Sequence, residues 1–185
     1  MQKYTNGSNV SLSVAAFLAY DDYDYDDSTI SATQLLKPLR QLVLSERGPK
    51  TQTVTDVSGL MKSRMGAAIH DSIERVWLNH KNEALSNLGY PEHVIENIVV
   101  NPDPDKLTDE QIPVYVEQRS YREIMGYRIS GKFDFVGDGM VEDFKFTGTF
   151  TYLNNTKEDD YILQGSIYRW LNPKIITEDQ IQVNM

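Results

Sequence analysis

The chain has 185 residues, of which 40% are hydrophobic and 24% charged, a balance typical of a folded globular protein rather than a disordered one. The absence of cysteine excludes disulfides, thiolate zinc sites and iron–sulfur clusters, and it fits a cytoplasmic protein. The formal net charge of −9 argues against a nucleic-acid partner when taken alone. The charge is uneven, however, because residues 21–27 hold five aspartates whereas residues 28–65 are net positive. The charge therefore weakens a nucleic-acid hypothesis without excluding it.

The first half of the chain is predicted to be mainly helical. Residues 1–28 are expected to form a loosely structured, acidic lead-in, without the residue order of a secretory signal. Apolar residues at helical spacing predict one helix over 30–47, which Pro38 either starts or kinks. Asp56 is expected to cap a long helix over 57–87.

The second half is predicted to combine strands with helices. A short helix leading into a strand is expected in "PEHVIENIVV", followed by a charged loop over 101–111. Strands are expected near 112–120, 125–136 and 141–149, a helix from a Thr156 cap to about 171, and a terminal strand in "DQIQVNM". A strand at the very end suggests that the native chain continues past residue 185. This order predicts one α+β domain with helices packed on a mixed sheet that has a β-meander core. No apolar run in the sequence is long enough to span a membrane.

One predicted hairpin, "GKFDFVGDGMVEDFKF", carries acids among its phenylalanines. With Asp138 and Gly139 at the centre of the turn, Asp134 falls directly opposite Asp143, and Lys145 shares their face. Two opposed carboxylates have Cβ atoms about 5 Å apart and destabilise the pair, so a shared proton or a cation must hold them together. A hard divalent ion such as Mg²⁺ prefers carboxylate oxygens, and an ammonium beside it is well placed to orient a water or to stabilise a negative transition state.

The opposite face of this hairpin is predicted to be the core face, because it carries Phe133, Phe144 and Phe146. A bland interpretation remains open at this point. The acids and the lysine then form an ordinary solvated face, where they meet water and pair loosely.

Three further features point to chemistry. Glu117 lies in a strand expected to pair with 125–136. Gly66 and His70 lie four residues apart on one helix face, and the glycine allows close approach of another backbone. Gln164 and Tyr168 have the same spacing on the last helix.

These elements, in this order from residue 66 to residue 168, resemble the PD-(D/E)XK nuclease superfamily in its RecB-like exonuclease branch. The matching motifs are G-x-x-x-H, a strand glutamate, G-x-x-D, (D/E)-x-K and Q-x-x-x-Y. Phe133 rather than proline stands before Asp134, a departure that is common in this branch. The resemblance implies a restriction-endonuclease-like fold, with Asp134, Asp143 and His70 as metal ligands and Lys145 as the catalytic lysine. It leaves Glu117 either a catalytic metal ligand or a residue that acts through water or through another ligand. It implies that Gln164 and Tyr168 either face DNA or position the lysine and the phosphate.

The function expected from this resemblance is a Mg²⁺- or Mn²⁺-dependent DNA exonuclease in recombination, repair or replication, with one or two ions and no iron–sulfur cluster. Arg64 and Arg119 are candidates for phosphate contact, although either can also be ordinary surface. The alternative is a catalytically silent DNA-binding or scaffold subunit with the same fold. The expected location is the cytoplasm of a bacterial or phage-infected cell or another compartment with DNA, with a protein partner or homo-oligomer left open.

Overall fold

The structure is a computed structural model, and it describes residues 3–21, 26–48, 54–148, 153–154 and 157–185. Short 3-10 helices at Val57–Leu60 and Pro104–Lys106 accompany the α-helices. The α-helices with defined bounds in the described residues are α1 (Leu12–Ala19), α2 (Ala32–Leu35), α3 (Leu39–Arg47), α4 (Met61–Asn79), α5 (Lys81–Asn87), α6 (Glu92–Asn97) and α7 (Glu158–Leu171).

The strands form one large mixed sheet and two smaller ones. They are β1 (Tyr4–Thr5), β2 (Ile30–Ser31), β3 (Thr55–Asp56), β4 (Ile98–Val100), β5 (Ile112–Val116), β6 (Arg119–Ile124), β7 (Tyr127–Lys132), β8 (Phe135–Gly137), β9 (Met140–Phe144) and β10 (Ile181–Asn184). The five-stranded sheet has the order β10-β9-β8-β5-β4, the three-stranded sheet has the order β2-β7-β6, and β1 pairs with β3. The outer pairs of the large sheet are parallel and its inner pairs antiparallel, which confirms the α+β prediction with a mixed sheet.

The predicted helices are present but broken. Residues 30–47 do not form one helix: Ser31 caps α2 through its side chain, and α3 begins after Pro38, which has no N–H to donate to the preceding turn. The predicted 57–87 helix breaks at His80, where the backbone leaves helical geometry between α4 and α5. Asp56 does cap its start, because its side chain accepts a hydrogen bond from the Ser58 backbone N–H at 3.1 Å.

The prediction of a loosely structured lead-in is wrong for its larger part. Helix α1 buries Leu18 completely, and Leu18 and Ala15 pack against Val57. The short apolar run lacks the polar face at helical spacing by which an amphipathic helix is predicted. Of the acidic segment, residues 22–25 lie outside the described residues.

The last predicted elements have mixed outcomes. The short helix and following strand are confirmed as α6 and β4, and the terminal strand is confirmed as β10, which pairs in parallel with β9. The last helix begins at Glu158, and the predicted Thr156 cap lies outside the described residues. The strand predicted over 141–149 ends at Phe144.

Two of the predicted strands bend and change sheets. Residues 112–120 were expected to form one strand, but the chain leaves β5 at Glu117, whose φ is +51°, and enters β6 in the other sheet. Residues 125–136 likewise divide into β7 and β8 on either side of Asp134. The two bends face each other, because the Glu117 N–H donates to the Asp134 carbonyl oxygen at 2.9 Å. The predicted meander is therefore divided: β5, β8 and β9 pair antiparallel in the five-stranded sheet, and β6 and β7 pair antiparallel in the three-stranded one.

The register predicted for the acidic hairpin is confirmed. Gly137 pairs with Met140 and Phe135 with Glu142, around a turn in which Asp138 and Gly139 both have positive φ. The same register places Asp134 opposite Asp143 just beyond the paired residues.

The predicted phenylalanine face is wrong. Phe133 packs in the cluster that also contains Tyr168 of α7, whereas Phe144 packs against a second cluster with Leu85 and Ile95 of α5 and α6, and Phe146 is 46% exposed. The bend at Asp134 breaks the alternation of side chains, and the large sheet is covered on both faces. Among the described residues, no helix is long and apolar enough to cross a membrane.

Candidate metal centre and its cleft

A cleft of about 890 Å³, lined by many charged residues, opens at the two strand bends between α4 and α7. It contains almost every residue that the sequence singled out. Its lining includes His70, Glu117, Arg119, Lys132, Asp134, Asp143, Lys145, Phe146, Tyr161, Gln164, Tyr168, Arg64 and Gly66.

Helix α4 brings His70 into the cleft. One turn earlier, Gly66 lets the helix approach the chain beyond β9, since a Cβ added there would lie 3.3 Å from the Cβ of Phe146. His70 Nε2 lies 2.9 Å from the Phe144 carbonyl oxygen, which can only accept, so Nε2 carries a proton. Nδ1 therefore faces the carboxylates, at 3.3 Å from Glu117 Oε1 and 3.5 Å from Asp134 Oδ1.

These contacts favour a charged imidazole. The hydrogen bond with Glu117, opposed by burial and supported by the charge of Asp134, raises the pKa of His70 to about 9. Loss of the Nδ1 proton leaves a neutral ring whose lone pair points between two carboxylates. A backbone carbonyl that fixes the other nitrogen is the usual support of a metal-binding histidine.

Glu117 reaches the cleft because of its unusual backbone. Its positive φ, rare for a residue with a side chain, is maintained by the hydrogen bond to Asp134. Its two oxygens have different partners: Oε1 lies near His70, and Oε2 lies 2.7 Å from Lys132 Nζ. Burial raises the pKa of Glu117, but the hydrogen bonds with His70 and Lys132 outweigh it and hold the pKa below its usual value.

One oxygen of Asp134 is anchored to the backbone, and the other faces His70. Oδ2 accepts a hydrogen bond from the Phe144 N–H at 2.7 Å, which fixes the carboxylate against the neighbouring strand. Burial, followed by the nearby charge of Asp143, raises the pKa of Asp134 to about 6.

Asp143 is almost completely buried, at 1% exposed, so the interpretation of a solvated hairpin face is wrong for this residue. Lys145 Nζ lies 2.8 Å from its Oδ1 and 2.7 Å from its Oδ2, with good hydrogen-bond geometry only to Oδ1. Gln164 Nε2 also lies 3.3 Å from Oδ1. Burial raises the pKa of Asp143, and the Lys145 ammonium opposes that rise.

Gln164 and Tyr168 are buried, at 5% and 4% exposed. Gln164 donates to the Tyr168 hydroxyl at 2.7 Å, so α7 supports Asp143 through a short chain of hydrogen bonds. This geometry favours the role of positioning the acid and the lysine. Their direct contact with DNA stays a prediction.

The two predicted phosphate-binding arginines lie at the edge of the cleft. Arg64 is bound to the acidic segment, because its Nη1 lies 2.8 Å from Asp21 Oδ1 and its Nε donates to the Leu18 carbonyl oxygen at 3.3 Å. Arg119 lies on β6 directly opposite Lys132 of β7.

The ligand set differs from the expected one in one member. His70, Glu117 and Asp134 each offer one ligand atom, all within 4.8 Å of one another, whereas Asp143 is bound to Lys145 and Gln164. Opposite ligands of Mg²⁺ are about 4 Å apart, so this nitrogen and these two oxygens fit a divalent ion after small movements. Imidazole among carboxylates also suits Mn²⁺.

Lys132 is the residue that the sequence analysis missed. A signal was present, because Lys132 stands two residues before Asp134 in "GKFD". Its relation to Glu117 depends on the bend at that residue, which the sequence pattern does not show.

Comparison with known proteins adds support for the fold alone. No protein-family model and no curated protein matches the chain. The solved crystal structure of a protein named SSO0001 is similar, with a TM-score of 0.50 and 16% sequence identity over 90% of this chain and 69% of that one. At this identity the similarity concerns the mixed α+β architecture, and the name states no activity.

Proposed function

We propose that this protein is a metal-dependent deoxyribonuclease of the PD-(D/E)XK type, an exonuclease of the RecB-like branch that acts in DNA recombination, repair or replication. One observation carries the proposal: motif residues that are far apart in the sequence line a single cleft. The mixed sheet with α4 and α7 beside its acids is compatible with the restriction-endonuclease-like fold that the motifs imply.

The proposed metal ligands are His70, Glu117 and Asp134. A Mg²⁺ or Mn²⁺ ion there would neutralise charge on the phosphate oxygens and make a water more acidic. The protein holds the three ligands in place beforehand, through the Phe144 backbone and through Lys132. This fixed arrangement reduces the reorganisation needed when a DNA phosphate enters.

Lys145 is the proposed catalytic cation. The buried Asp143 carboxylate holds its ammonium at the cleft, and the Tyr161 ring lies 5.9 Å from Nζ. An ammonium held in this way can orient the attacking water and stabilise the charge that develops on the phosphoryl oxygens. Gln164 holds Asp143 from the other side, so loss of the glutamine should misplace the lysine.

A cleavage assay tests the proposal. Single-stranded and duplex DNA, each labelled at one end, would be incubated with the protein in Mg²⁺, Mn²⁺ or EDTA. We expect metal-dependent release of short products by the wild type, no products from Asp134→Asn, and normal activity of Asp105→Asn, a control at an exposed acid paired with Lys174. A covalently closed circular DNA should resist cleavage if the enzyme requires an end.

The assay also distinguishes the alternative function. DNA binding without metal-dependent cleavage, with Asp134→Asn identical to the wild type, would refute the nuclease and leave a DNA-binding or scaffold subunit.

A further inference from the structure

One aromatic side chain of the cleft is exposed where the others are buried. Among the phenylalanine and tyrosine residues that line the cleft in the described part of the chain, Tyr161 and Tyr168 are buried, whereas Phe146 is 46% exposed. Both tyrosines have neighbours inside the protein, because Tyr168 accepts a hydrogen bond from Gln164 and the Tyr161 ring lies 5.9 Å from Lys145 Nζ. The Phe146 ring therefore presents apolar surface to a ligand in the cleft.

Helix α4 holds Phe146 in position at the root of its side chain. The strand that precedes it ends at Phe144, which packs against the core cluster beside α5 and α6. Gly66 approaches from α4 so closely that an added Cβ would lie 3.3 Å from the Phe146 Cβ. A larger residue at that turn of α4 would crowd Phe146. The side chain is thus fixed at its Cβ, while nearly half of its surface stays exposed.

The ring lies next to the residue that is proposed to act on the phosphate. Phe146 directly follows Lys145, and Cα atoms of consecutive residues are about 3.8 Å apart. A nucleotide whose phosphate reaches the Lys145 ammonium therefore has its own base or the next one within reach of the ring. Every base has a π-face that stacks on an aromatic side chain whatever the sequence. A base inside a duplex is already stacked on its neighbours, so an unpaired base is the fitting ligand.

We propose that Phe146 is a base-stacking residue, whose ring stacks on an unpaired DNA base beside the phosphate at the metal centre and so positions the strand for cleavage. This inference rests on the proposed nuclease function, because it takes the metal centre as the place of cleavage.

The first test separates the aromatic ring from its apolar volume. The KM and kcat for the first cleavage of an end-labelled 20-nucleotide single-stranded DNA would be measured in Mg²⁺. Phe146→Leu keeps an apolar side chain without a ring, and we expect its KM to rise about tenfold with little change in kcat. Phe146→Tyr and Phe146→Trp keep an aromatic face and should restore the KM to within about twofold of the wild type.

Phe17→Leu is the matched control. Phe17 has the same exposed fraction as Phe146 but lies on α1 and is not part of the cleft lining. The same substitution there should leave KM and kcat unchanged. A loss of activity common to both leucine variants would reflect the loss of an exposed ring in general and would count against a base-stacking role.

The second test changes the DNA and needs no variant to fold. A single abasic residue, which keeps the sugar and phosphate but lacks the base, would be placed in turn at each position of the labelled strand. We expect the KM of the wild type to rise about tenfold at one or two neighbouring positions. Phe146→Leu should show no further rise there, because the ring and the base act as one pair. A merely structural role of Phe146 would leave the response to the abasic residue intact.

The outcomes are distinct. A wild type that cleaves DNA in Mg²⁺, with no position at which an abasic residue raises its KM, overturns the stacking and leaves the nuclease proposal intact. A Phe146→Leu variant that responds to the abasic residue as the wild type does has the same meaning. A wild type that neither binds nor cleaves DNA overturns both.

Discussion

Metal binding at this centre should be coupled to the loss of a proton from His70. His70 Nδ1 lies 3.3 Å from Glu117 Oε1 and 3.5 Å from Asp134 Oδ1, and these carboxylates raise the pKa of the ring to about 9. A divalent ion needs that nitrogen neutral, so the proton must leave when the ion binds. Raising the pH from 6.5 to 8.5 is therefore the perturbation that tests the geometry.

The magnitude follows from the pKa of His70. At pH 7 roughly 1% of the rings are neutral, which weakens metal binding about a hundredfold, or by about 3 kcal/mol, relative to a site that is already deprotonated. The apparent affinity should rise about tenfold per pH unit across this range, and it should level off above pH 9. The range also lies above the pKa of about 6 for Asp134, so one proton dominates the change.

The stability of the ion-free protein should change in the opposite direction. The pKa of His70 is raised on folding, so its contribution is complete below pH 6.5 and is lost as the pH rises through about 9. With a side chain only 26% exposed, that contribution is at most about 3 kcal/mol. Saturating Mn²⁺ should flatten the trend, because its binding strengthens by the same factor per pH unit over the same range.

Isothermal titration calorimetry with Mn²⁺ in two buffers of different ionisation enthalpy measures the released proton directly. We expect about one proton per ion at pH 7 for the wild type and for His93→Gln, an exposed helix histidine as control. His70→Gln should release none and show a flat affinity against pH. A wild type with the same affinity at pH 6.5 and 8.5 would refute the reasoning.

Three further perturbations have defined outcomes. Asp143→Asn should abolish cleavage while changing the free energy of unfolding by less than about 1 kcal/mol in urea denaturation. The loss of the ion pair with Lys145 and the relief of a buried charge offset each other. A large loss of stability would contradict this. Gly131→Ala should lower the free energy of unfolding by about 1–3 kcal/mol, since its Cβ would lie 2.6 Å from a leucine of α7. Gly59→Ala, with nothing within 4 Å of the added Cβ, should be tolerated. Equal effects of the two substitutions on the urea midpoint would contradict the packing. Asp21→Asn should strengthen binding of labelled DNA in EDTA, because the Asp21 carboxylate, 2.8 Å from Arg64, then no longer competes with a DNA phosphate for that arginine. An unchanged affinity in fluorescence anisotropy titrations would contradict this competition.

The local chemistry of the turn made part of the site predictable from the sequence. Asp138 and Gly139 accept positive φ, and a two-residue turn fixes the register of the two strands that it joins. That register placed Asp134 opposite Asp143, with Lys145 on the same side. The helix cap at Asp56 was predicted from similarly local chemistry.

The exchange between sheets was not predictable in this way. A regular strand pattern runs through Glu117 and Asp134, and nothing in it marks the bends. The bends depend on a hydrogen bond between two residues 17 apart in the sequence, and on packing against both faces of the large sheet. Long-range contacts override the local preference for an unbroken strand.

The burial of Asp143 was missed for the same reason. Alternation along β9 assigns one face to the acids, and a single sequence does not show that α7 covers that face. The assignment of Glu117 to the ligand set and the role of Lys132 both follow from the bend, so neither could be derived before the fold was known.

The bends at Glu117 and Asp134 have a mechanical consequence. Glu117 and Asp134 stand where the chain crosses between the five-stranded and the three-stranded sheet. Two backbone hydrogen bonds join the crossings, from Glu117 N–H to the Asp134 carbonyl oxygen and from Phe133 N–H to the Gln118 carbonyl oxygen. An ion held by both carboxylates would link the two crossings. Amide hydrogen exchange in the β6–β7 hairpin should therefore slow when the ion is present. The same bound ion would then both rigidify the β6–β7 hairpin and prepare the site for hydrolysis.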